Sequence, residues 1–382
     1  IGAERWYQDL DALLADTFLS YDDGPGSRQV TEGTVISVAE HGLLYTVAAK
    51  NAPDAHLSTA GGVLLYLGAS AAEDIRALDG NVDGSTNDSA AMMLSISARN
   101  ALKLPRGVTY LDSVIQADDG INAWNGLHGS GHESVLRLGP NARIKIQNQG
   151  KGGVLGTDHW PARMMADLTI DGSGQTAAYG VIVGTDTDQG ETAITRTCNG
   201  AHFENVGIMD VGGPAWAVGY MTSNLWTKCY TKDCDYGWFF FTNTSDSASD
   251  IWTLNSCDVR SHDVAGLVAL SESPNAVSGM VNGGIIADNA GWGALLSATT
   301  TVARDSYVFI GTHFESNGTG NGETASAVTV KDHGVALEPS HMYIERTNVR
   351  CTACNFFSGF VQVVSEGTFT MDGGAMYTGL DG

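Results

Sequence analysis

A repeat with a period of 23 to 28 residues constrains the fold of this chain more than any other feature. Similar phrases begin at residues 204, 227, 255, 282 and 310, the first reading ENVGIMDVGGPAW and the second TKCYTKDCDYGW. Each phrase combines a short alternating strand, a polar or acidic corner, a glycine and a second apolar strand, such as 238–241, 267–270 or 292–296. Segments 342–364 and 368–377 continue the pattern. At ~3.3 Å per residue, three short strands and their turns use about this much chain, which predicts one coil of a parallel β-helix per repeat.

Other repeat architectures fit less well. The LxxLxLxxN pattern of leucine-rich repeats is absent, and a propeller blade needs four strands in ~40–45 residues. Glycine is abundant, 48 of 382 residues against 8 prolines, as expected for many short turns. Hydrophobic residues make up 43% of the chain, enough for a continuous core. The sequence therefore predicts an all-β solenoid whose alternate strand residues face a shared interior.

Residues 1–72 have a different pattern and are predicted to form a small α+β head or neck module. Trp6, Leu10, Leu13, Leu14 and Phe18 recur at helical spacing, which predicts an amphipathic helix. Strand-like runs follow at 34–48 and 62–68. We accordingly divide the chain into a head, 1–72, and a β-helix domain for polysaccharide binding and catalysis, 73–382.

The junction of the two parts carries a recognisable motif. The segment 78–111 reads LDGNVDGSTNDSAAMMLSISARNALKLPRGVTYL, an acidic glycine turn, an apolar stretch and an LPxGxY strand. It resembles the opening motif of pectate-lyase-like proteins, and GLHGSG at 126–131 followed by Val135 and Leu136 resembles a coil of that family. The matching residues of the first segment are Asp83, Gly84, Thr86, Asp88, Ala91, Leu104, Pro105, Gly107 and Tyr110. The resemblance implies a right-handed parallel β-helix whose open first coil is capped by a helix over 89–102.

A head that leads into this motif resembles a bacteriophage tailspike. The resemblance implies binding and depolymerisation of a bacterial surface polysaccharide, a homotrimeric assembly, and a place on the virion tail or outside the cell. The formal net charge of −23 argues against a nucleic-acid partner, because phosphate binding needs clustered Lys and Arg. No apolar run reaches the ~20 residues that a membrane helix needs, so no membrane insertion is expected.

Hydrolysis of a glycosidic bond needs two carboxyl groups that face one groove, one of them protonated. Equivalent positions on adjacent coils of a β-helix lie ~4.8 Å apart, which suits such a pair. Alignment of the coils on Gly237, Gly266 and Gly291 stacks an acidic corner across several repeats. The candidate catalytic residues in this corner are Asp233, Asp235, His262, Asp263, Asp288 and Glu315. We expect the acid/base pair to be Asp233 or Asp235 with Asp263, and His262 to orient the sugar or a proton.

Aromatic side chains supply candidate sugar-binding surfaces, because their flat faces stack on the apolar faces of sugar rings. The candidate substrate-binding residues are Trp160, Trp216, Trp238, Trp292 and Arg260. Trp226 and Trp252 share a strand position and are predicted to stack in the core instead.

No metal site and no required cofactor are predicted. Asp79-Gly80-Asn81-Val82-Asp83-Gly84 matches the start of a calcium loop, but its twelfth position is Ala90 rather than a bidentate Glu. The stretch is interpreted as the turn that opens the solenoid, and a structural or substrate-bridging calcium ion stays open. Cys351 and Cys354 have no partner set at zinc-like spacing, so buried thiols are expected.

Three alternative functions remain. A polysaccharide lyase would neutralise a uronic acid with Lys228, Lys232 and Arg260, with Arg346 and Arg350 beside Glu345, or with residues of 158–163. A non-catalytic receptor-binding spike would use the same groove and aromatics without chemistry, and a purely structural or adhesive β-helix would not bind carbohydrate. The acidic composition favours hydrolysis over elimination.

Overall fold

Three stacks of parallel strands wind around one interior in the computed structural model of the chain. The structure describes residues 5–53, 55–68, 74–97, 101–118, 126–149, 164–174, 176–184, 196–219, 221–242, 250–271, 278–298, 305–318, 340–364 and 366–377. Each coil visits the three stacks in a fixed order, which we call the first, second and third stack. The fold is the right-handed parallel β-helix that the sequence predicted.

The strands of each stack pair in register with those one coil away. The first stack comprises Leu102–Lys103, Leu127–His128, Arg196–Asn199, Met221–Thr227, Asp250–Asn255, Ser278–Asn282, Ser306–Ile310, Asn348–Thr352 and Thr368–Asp372. The second comprises Asp83–Asn87, Gly107–Leu111, Ser134–Leu138, Tyr230–Lys232, Asp258–Arg260, Ile285–Ala287, His313–Glu315, Asn355–Phe357 and Ala375–Tyr377. Met165–Asp171 and His202–Met209 each run through both. The third comprises Val114–Asp118, Arg143–Gln149, Val181–Gly184, Pro214–Gly219, Tyr236–Thr242, Ala265–Ser271, Trp292–Ala298, Met342–Glu345 and Val361–Val364.

Large aromatic side chains fill the interior of the middle coils. The rings of Trp216 and Trp238 stack with centroids 6.3 Å apart, and those of Phe240 and Trp252 with centroids 4.1 Å apart. Trp226 lies edge-on to Trp216, with ring centroids 5.8 Å apart. The core position predicted for Trp226 and Trp252 is confirmed, since both are fully buried. The β-helix is therefore held by a continuous apolar column in which aromatic contacts link successive coils.

A short helix covers the open end of the first coil, as predicted. It spans Ser89–Ser97 and buries Ala91, Met92 and Ile96 in the main core. It ends earlier than the predicted residue 102, where the next strand has already begun. Before the helix, the Asp88 carboxylate accepts hydrogen bonds from the backbone N–H groups of Asn81, at 2.8 Å, and Val82, at 3.3 Å.

The N-terminal part carries its own five-stranded sheet and core. The sheet order is Arg5–Tyr7, Val35–Val38, Leu43–Val47, Leu64–Leu67 and Leu57–Ser58, with a helix at Leu10–Leu14. Leu19–Ser20 pairs with Arg28–Gln29, and 3-10 turns occupy Glu40–Gly42 and Ile75–Leu78. The Tyr45 hydroxyl donates to the carbonyl of Ala77 at 2.8 Å, which joins this sheet to the turn before the solenoid.

The amphipathic helix predicted over the first 18 residues is wrong at both ends. Leu10 and Leu13 are buried as expected, but Trp6 lies in a strand and is 63% exposed, and Phe18 is 60% exposed. The domain boundary proposed at residue 72 falls within 69–73, outside the described residues. In the described part of the chain, no helix combines the length and apolarity that a membrane span requires.

Candidate active site

The predicted acids lie at the second stack and at the turn that follows it. In the strands Tyr230–Lys232, Asp258–Arg260 and His313–Glu315 the middle residue is buried, as Thr231 is, and its two neighbours are more exposed. The last residues of these strands and of Ile285–Ala287 form one column, Lys232, Arg260, Ala287 and Glu315, each paired in register with the next, in which only Ala287 is buried. Glu315 therefore lies two coils from Arg260, and its carboxylate contacts His313 Nε2 at 3.1 Å.

The residue after each of these strands has a left-handed backbone. Asp233, Ser261, Asp288 and Ser316 occupy this position with φ between 51° and 57°. Asp and Ser suit such turns better than β-branched residues do, because their short polar side chains bond locally. Asp233 and Asp288 therefore share a column but are two coils apart, with Ser261 between them. Asp210 is the equivalent residue one coil before Asp233.

Asp235 and Asp263 occupy the same position on consecutive coils. The backbone N–H of Asp263 donates to the carbonyl of Cys234 at 3.0 Å, and that of Val264 donates to Asp235 at 3.0 Å. Burial, followed by the charge of Asp263, raises the pKa of Asp235 above its ordinary value. Asp263 is exposed and Asp235 half-buried, so the two carboxyls lie in different environments.

A second acidic neighbourhood surrounds Asp210. Burial, then the charges of Asp233 and Asp171, raise the pKa of Asp210, while Lys232 opposes this shift. The Lys232 ammonium lies 3.1 Å from the Asp233 carboxylate. Lys232 partly neutralises the negative charge around Asp210. The Asp210 neighbourhood is therefore less suited than the Asp235–Asp263 pair to keep a carboxyl group protonated.

His262 faces the interior and cannot contact a sugar, contrary to its predicted role. Its side chain is buried, with Nε2 2.9 Å from the Thr231 hydroxyl and Nδ1 3.2 Å from the Cys234 carbonyl. Burial lowers the pKa of His262 to about 4. Its backbone N–H donates to the side-chain oxygen of Asn289, which is itself bonded to Asn317. His262 thus belongs to a buried polar ladder that satisfies the turns of successive coils.

The tryptophans predicted to bind sugar do not face solvent where the structure describes them. Trp216 and Trp238 are fully buried in the bore. Trp292 is also fully buried, in a separate apolar cluster with Val268 and Leu295 on the third stack. These three predictions are wrong because nearness to a corner does not decide exposure. Exposure depends on which side of the strand a residue occupies and on which residues pack over it. Trp160 lies outside the described residues.

The basic residues fall in two places. Lys232 and Arg260 are neighbours on the acid-bearing surface, where the guanidinium of Arg260 contacts Asp258 at 2.7 Å. Arg350 instead pairs with Asp372 on the first stack at 2.5 Å, and Arg346 lies 3.7 Å from the buried Glu345. Of the candidate cations in the described residues, the pair Lys232 and Arg260 lies with the acids, whereas Arg346 and Arg350 do not. The candidate stretch 158–163 lies outside the described residues.

Outward aromatic rings that the sequence analysis did not single out lie on this same surface. Tyr230 packs edge-on against His132, with centroids 5.2 Å apart. Further along the axis, His313, Phe357 and Tyr377 form a row in which the last two rings stack at 4.5 Å. The signal was present in the sequence for Tyr230, His313 and Phe357, because each lies one position from a buried strand centre. We call this outward surface of the second stack and its following turn the acid face.

No metal centre is evident in the described residues, which hold no group of three or more His, Cys, Asp or Glu suited to an ion. Asp83 accepts hydrogen bonds from the N–H groups of Thr86 and Ser85, and these hold its pKa well below the usual range. Its carboxylate thereby caps the opening turn. All six cysteines are buried free thiols, as expected for Cys351 and Cys354.

Fold and surface together define a parallel β-helix protein with carboxylates and aromatic rings on one outer face. No known protein family and no curated protein matches the sequence. Among solved structures, the enzymatically active domain of tailspike protein 2 from bacteriophage CBA120 matches with a TM-score of 0.59 and 13% identity, covering 92% of this chain and 51% of that chain. This chain thus spans about half the length of that protein.

Two more distant structures also match. The tailspike protein of Acinetobacter baumannii phage AM24 has a TM-score of 0.47 at 9% identity, covering 92% of this chain and 64% of that chain. A mannuronan C-5 epimerase A-module from Azotobacter vinelandii has a TM-score of 0.42 at 15% identity, covering 80% and 99%. The parallel β-helix expected from the opening motif is confirmed as the fold.

Proposed function

We propose that this chain is a tailspike-like depolymerase that binds a bacterial surface polysaccharide and cleaves its glycosidic bonds by endo-hydrolysis. The observation that carries the proposal is the pairing of Asp235 and Asp263 at one position on consecutive coils. The tailspike fold of the enzymatically active domain from phage CBA120 supports the substrate class.

Spacing and environment assign the two roles. One coil rise of ~4.8 Å is close to the ~5–5.5 Å between the carboxyls of a retaining glycosidase. The raised pKa of the half-buried Asp235 suits a general acid, since such a group must be protonated at working pH. The exposed Asp263 suits the nucleophile, which must reach the sugar as a carboxylate.

The reaction then proceeds in two displacements. Asp235 gives its proton to the glycosidic oxygen as the C1–O bond breaks, and the Asp263 carboxylate forms a bond to C1. A water molecule next gives a proton to Asp235 while its oxygen attacks C1 and releases Asp263. The new reducing end keeps its anomeric configuration, and no metal or cofactor takes part.

The test uses three purified polymers chosen from the sources of the matched proteins. These are surface polysaccharide of Escherichia coli O157:H7, the bacterium whose phage is the source of the full-length tailspike protein 2, capsule of Acinetobacter baumannii, and alginate. We expect new reducing ends from one of them, lost in Asp235→Asn and Asp263→Asn. The matched control is Asp372→Asn, which alters an exposed carboxylate on the first stack, away from the acid face. Proton NMR of the first product should show retention, and inversion would refute the assignment of Asp263 as nucleophile.

A second candidate is a polysaccharide lyase, favoured by the neighbouring cations Lys232 and Arg260. Two positive charges on consecutive coils could neutralise a uronate carboxylate before β-elimination. Elimination produces an unsaturated uronate that absorbs ultraviolet light, whereas hydrolysis produces reducing ends alone. Binding with neither product would identify a non-catalytic receptor-binding spike.

Assembly and location belong to the same proposal. A tailspike of this kind is expected to be a homotrimer on the virion tail, and light scattering of the purified chain would measure its mass. A monomeric mass would contradict the trimer without affecting the proposed chemistry.

A further inference from the structure

We propose that Tyr230 forms a preorganised platform on which one pyranose ring of the polysaccharide stacks, on the N-terminal side of the acid pair. This inference rests on the proposed saccharide-binding function and adds a subsite that the carboxylates do not define. The ligand class is a pyranose unit that presents an apolar C–H face to the ring.

The first support is the close fit of Tyr230 over a glycine. Val135, Thr169, Gly207 and Tyr230 occupy one outward column on four consecutive coils. The phenol ring leans back along this column and fills the space where a side chain at Gly207 would lie, so a Cβ there would overlap it. The ring is thus supported from beneath by bare backbone, and it stays half-exposed on the outside.

The second support is a chain of hydrogen bonds that fixes the ring. The Asn205 amide donates to the Asp167 carboxylate at 2.8 Å, so the Asn205 side-chain oxygen accepts from His132 Nε2 at 3.0 Å. His132 Nδ1 in turn lies 3.2 Å from the Thr169 hydroxyl, with which it shares a hydrogen bond. The same hydroxyl is hydrogen-bonded to the Tyr230 phenol oxygen, 3.3 Å away.

The third support is the shape that results. The planes of the His132 and Tyr230 rings are inclined by 62° and their centroids lie 5.2 Å apart. A sugar stacked on the face of Tyr230 would therefore be bordered on one side by His132. An aromatic ring that is already ordered loses little conformational freedom on binding, so the stacking energy is not offset by ordering. Gly207 lies two coils before Asp263, about 9.6 Å along the axis. A polymer running along the acid face would therefore meet the platform and the acid pair together.

The test measures binding separately from cleavage. Affinity electrophoresis in gels containing each of the three polymers named above gives dissociation constants, and the turnover assay is run in parallel. Tyr230→Ala is expected to weaken binding at least about tenfold, whereas Tyr230→Phe keeps the ring over Gly207, loses only the hydroxyl's hydrogen bond, and should weaken binding much less. Gly207→Ala should displace the ring and weaken binding in the Tyr230 protein but add nothing in a Tyr230→Ala background. The matched control is Tyr66→Ala, which removes a ring that is edge-on to His56 in the N-terminal sheet.

The outcomes separate this inference from the proposed hydrolysis. Weaker binding in Tyr230→Ala, with no cleavage by wild type, would support the platform and reject the hydrolase. Cleavage by wild type with unchanged binding in Tyr230→Ala would reject the platform alone. Equal losses in Tyr230→Ala and Tyr230→Phe would overturn stacking in favour of the hydroxyl. Failure of wild type to bind any of the three polymers would overturn both.

Discussion

Replacement of Trp238 by alanine should destabilise the β-helix without altering the affinity of the folded protein for sugar. The indole is fully buried and stacks on Trp216, with ring centroids 6.3 Å apart and planes inclined by 12°. Truncation of a buried Trp to Ala costs about 3–5 kcal/mol of unfolding free energy, because it removes contacts and leaves a cavity. For 382 residues, an unfolding entropy of about 2.1 cal/mol/K per residue converts this loss to roughly 4–6 °C in Tm.

Thermal unfolding followed by circular dichroism provides the measurement, with polysaccharide affinity determined well below the transition. Trp6→Ala is the matched control, because that indole is 63% exposed and its loss should change stability by less than about 0.5 kcal/mol. The reasoning would be refuted if Trp238→Ala kept its Tm but lost sugar binding, since the ring would then face outward.

Three further predictions follow from buried groups and from the proposed chemistry. Burial lowers the pKa of His262 from 6.5 to about 4, so the unfolded chain binds a proton that the folded chain does not, and stability is lost as pH falls from 6.5 towards 4. His262→Asn should extend the asparagine ladder, keep turnover, and flatten the pH dependence of Tm in that window; loss of turnover in the folded variant would restore a catalytic role. The six buried thiols should react with Ellman's reagent only after denaturation, and rapid labelling of the native protein would contradict their placement in the core. Turnover should survive EDTA, because two carboxyls perform both displacements; its loss, with recovery on adding calcium, would establish a bridging ion.

The architecture could be predicted because it depends on local periodicity. A repeat of this length with alternating strands leaves few folds other than a solenoid, and the opening motif marks where the helix covers the first coil. The predicted N-terminal helix is longer than the observed one, Leu10–Leu14, because helical spacing of apolar residues does not show that Trp6 belongs to a strand. Pairing of that strand with Val35–Val38 is a long-range contact that overrides the helical pattern.

The site was only partly predictable because one inserted residue in a turn changes which side chains stack on consecutive coils. Alignment on corner glycines assumed that Gly237, Gly266 and Gly291 are equivalent, but strand pairing places Gly237 beside Gly266 and Gly266 beside Gly293. Val264 is one extra residue between the second and third stacks of its coil, so positions counted back from the glycine are displaced by one. Because of this displacement Asp235 stacks on Asp263 rather than on Val264, and Asp233 stacks on Ser261.

Facing direction was the second obstacle. A shift of one position turns a strand residue from the surface to the core, and the corner phrases do not reveal which position is which. His262 and Trp238 were therefore predicted outside and lie inside. Tyr230 and Phe357, next to buried strand centres, were overlooked although strand parity exposes them.

The most direct test of the account asks whether Asp235 and Asp263 act as one catalytic unit. Turnover of the cleaved polysaccharide is measured for Asp235→Asn, Asp263→Asn and the double variant, with folding confirmed by circular dichroism. When two residues serve the same displacement, loss of either one already abolishes that step, so loss of the second slows turnover no further. The double variant should therefore be no slower than the slower single variant. Losses that multiply, or full turnover in either single variant, would contradict the pairing of these two carboxyls across consecutive coils.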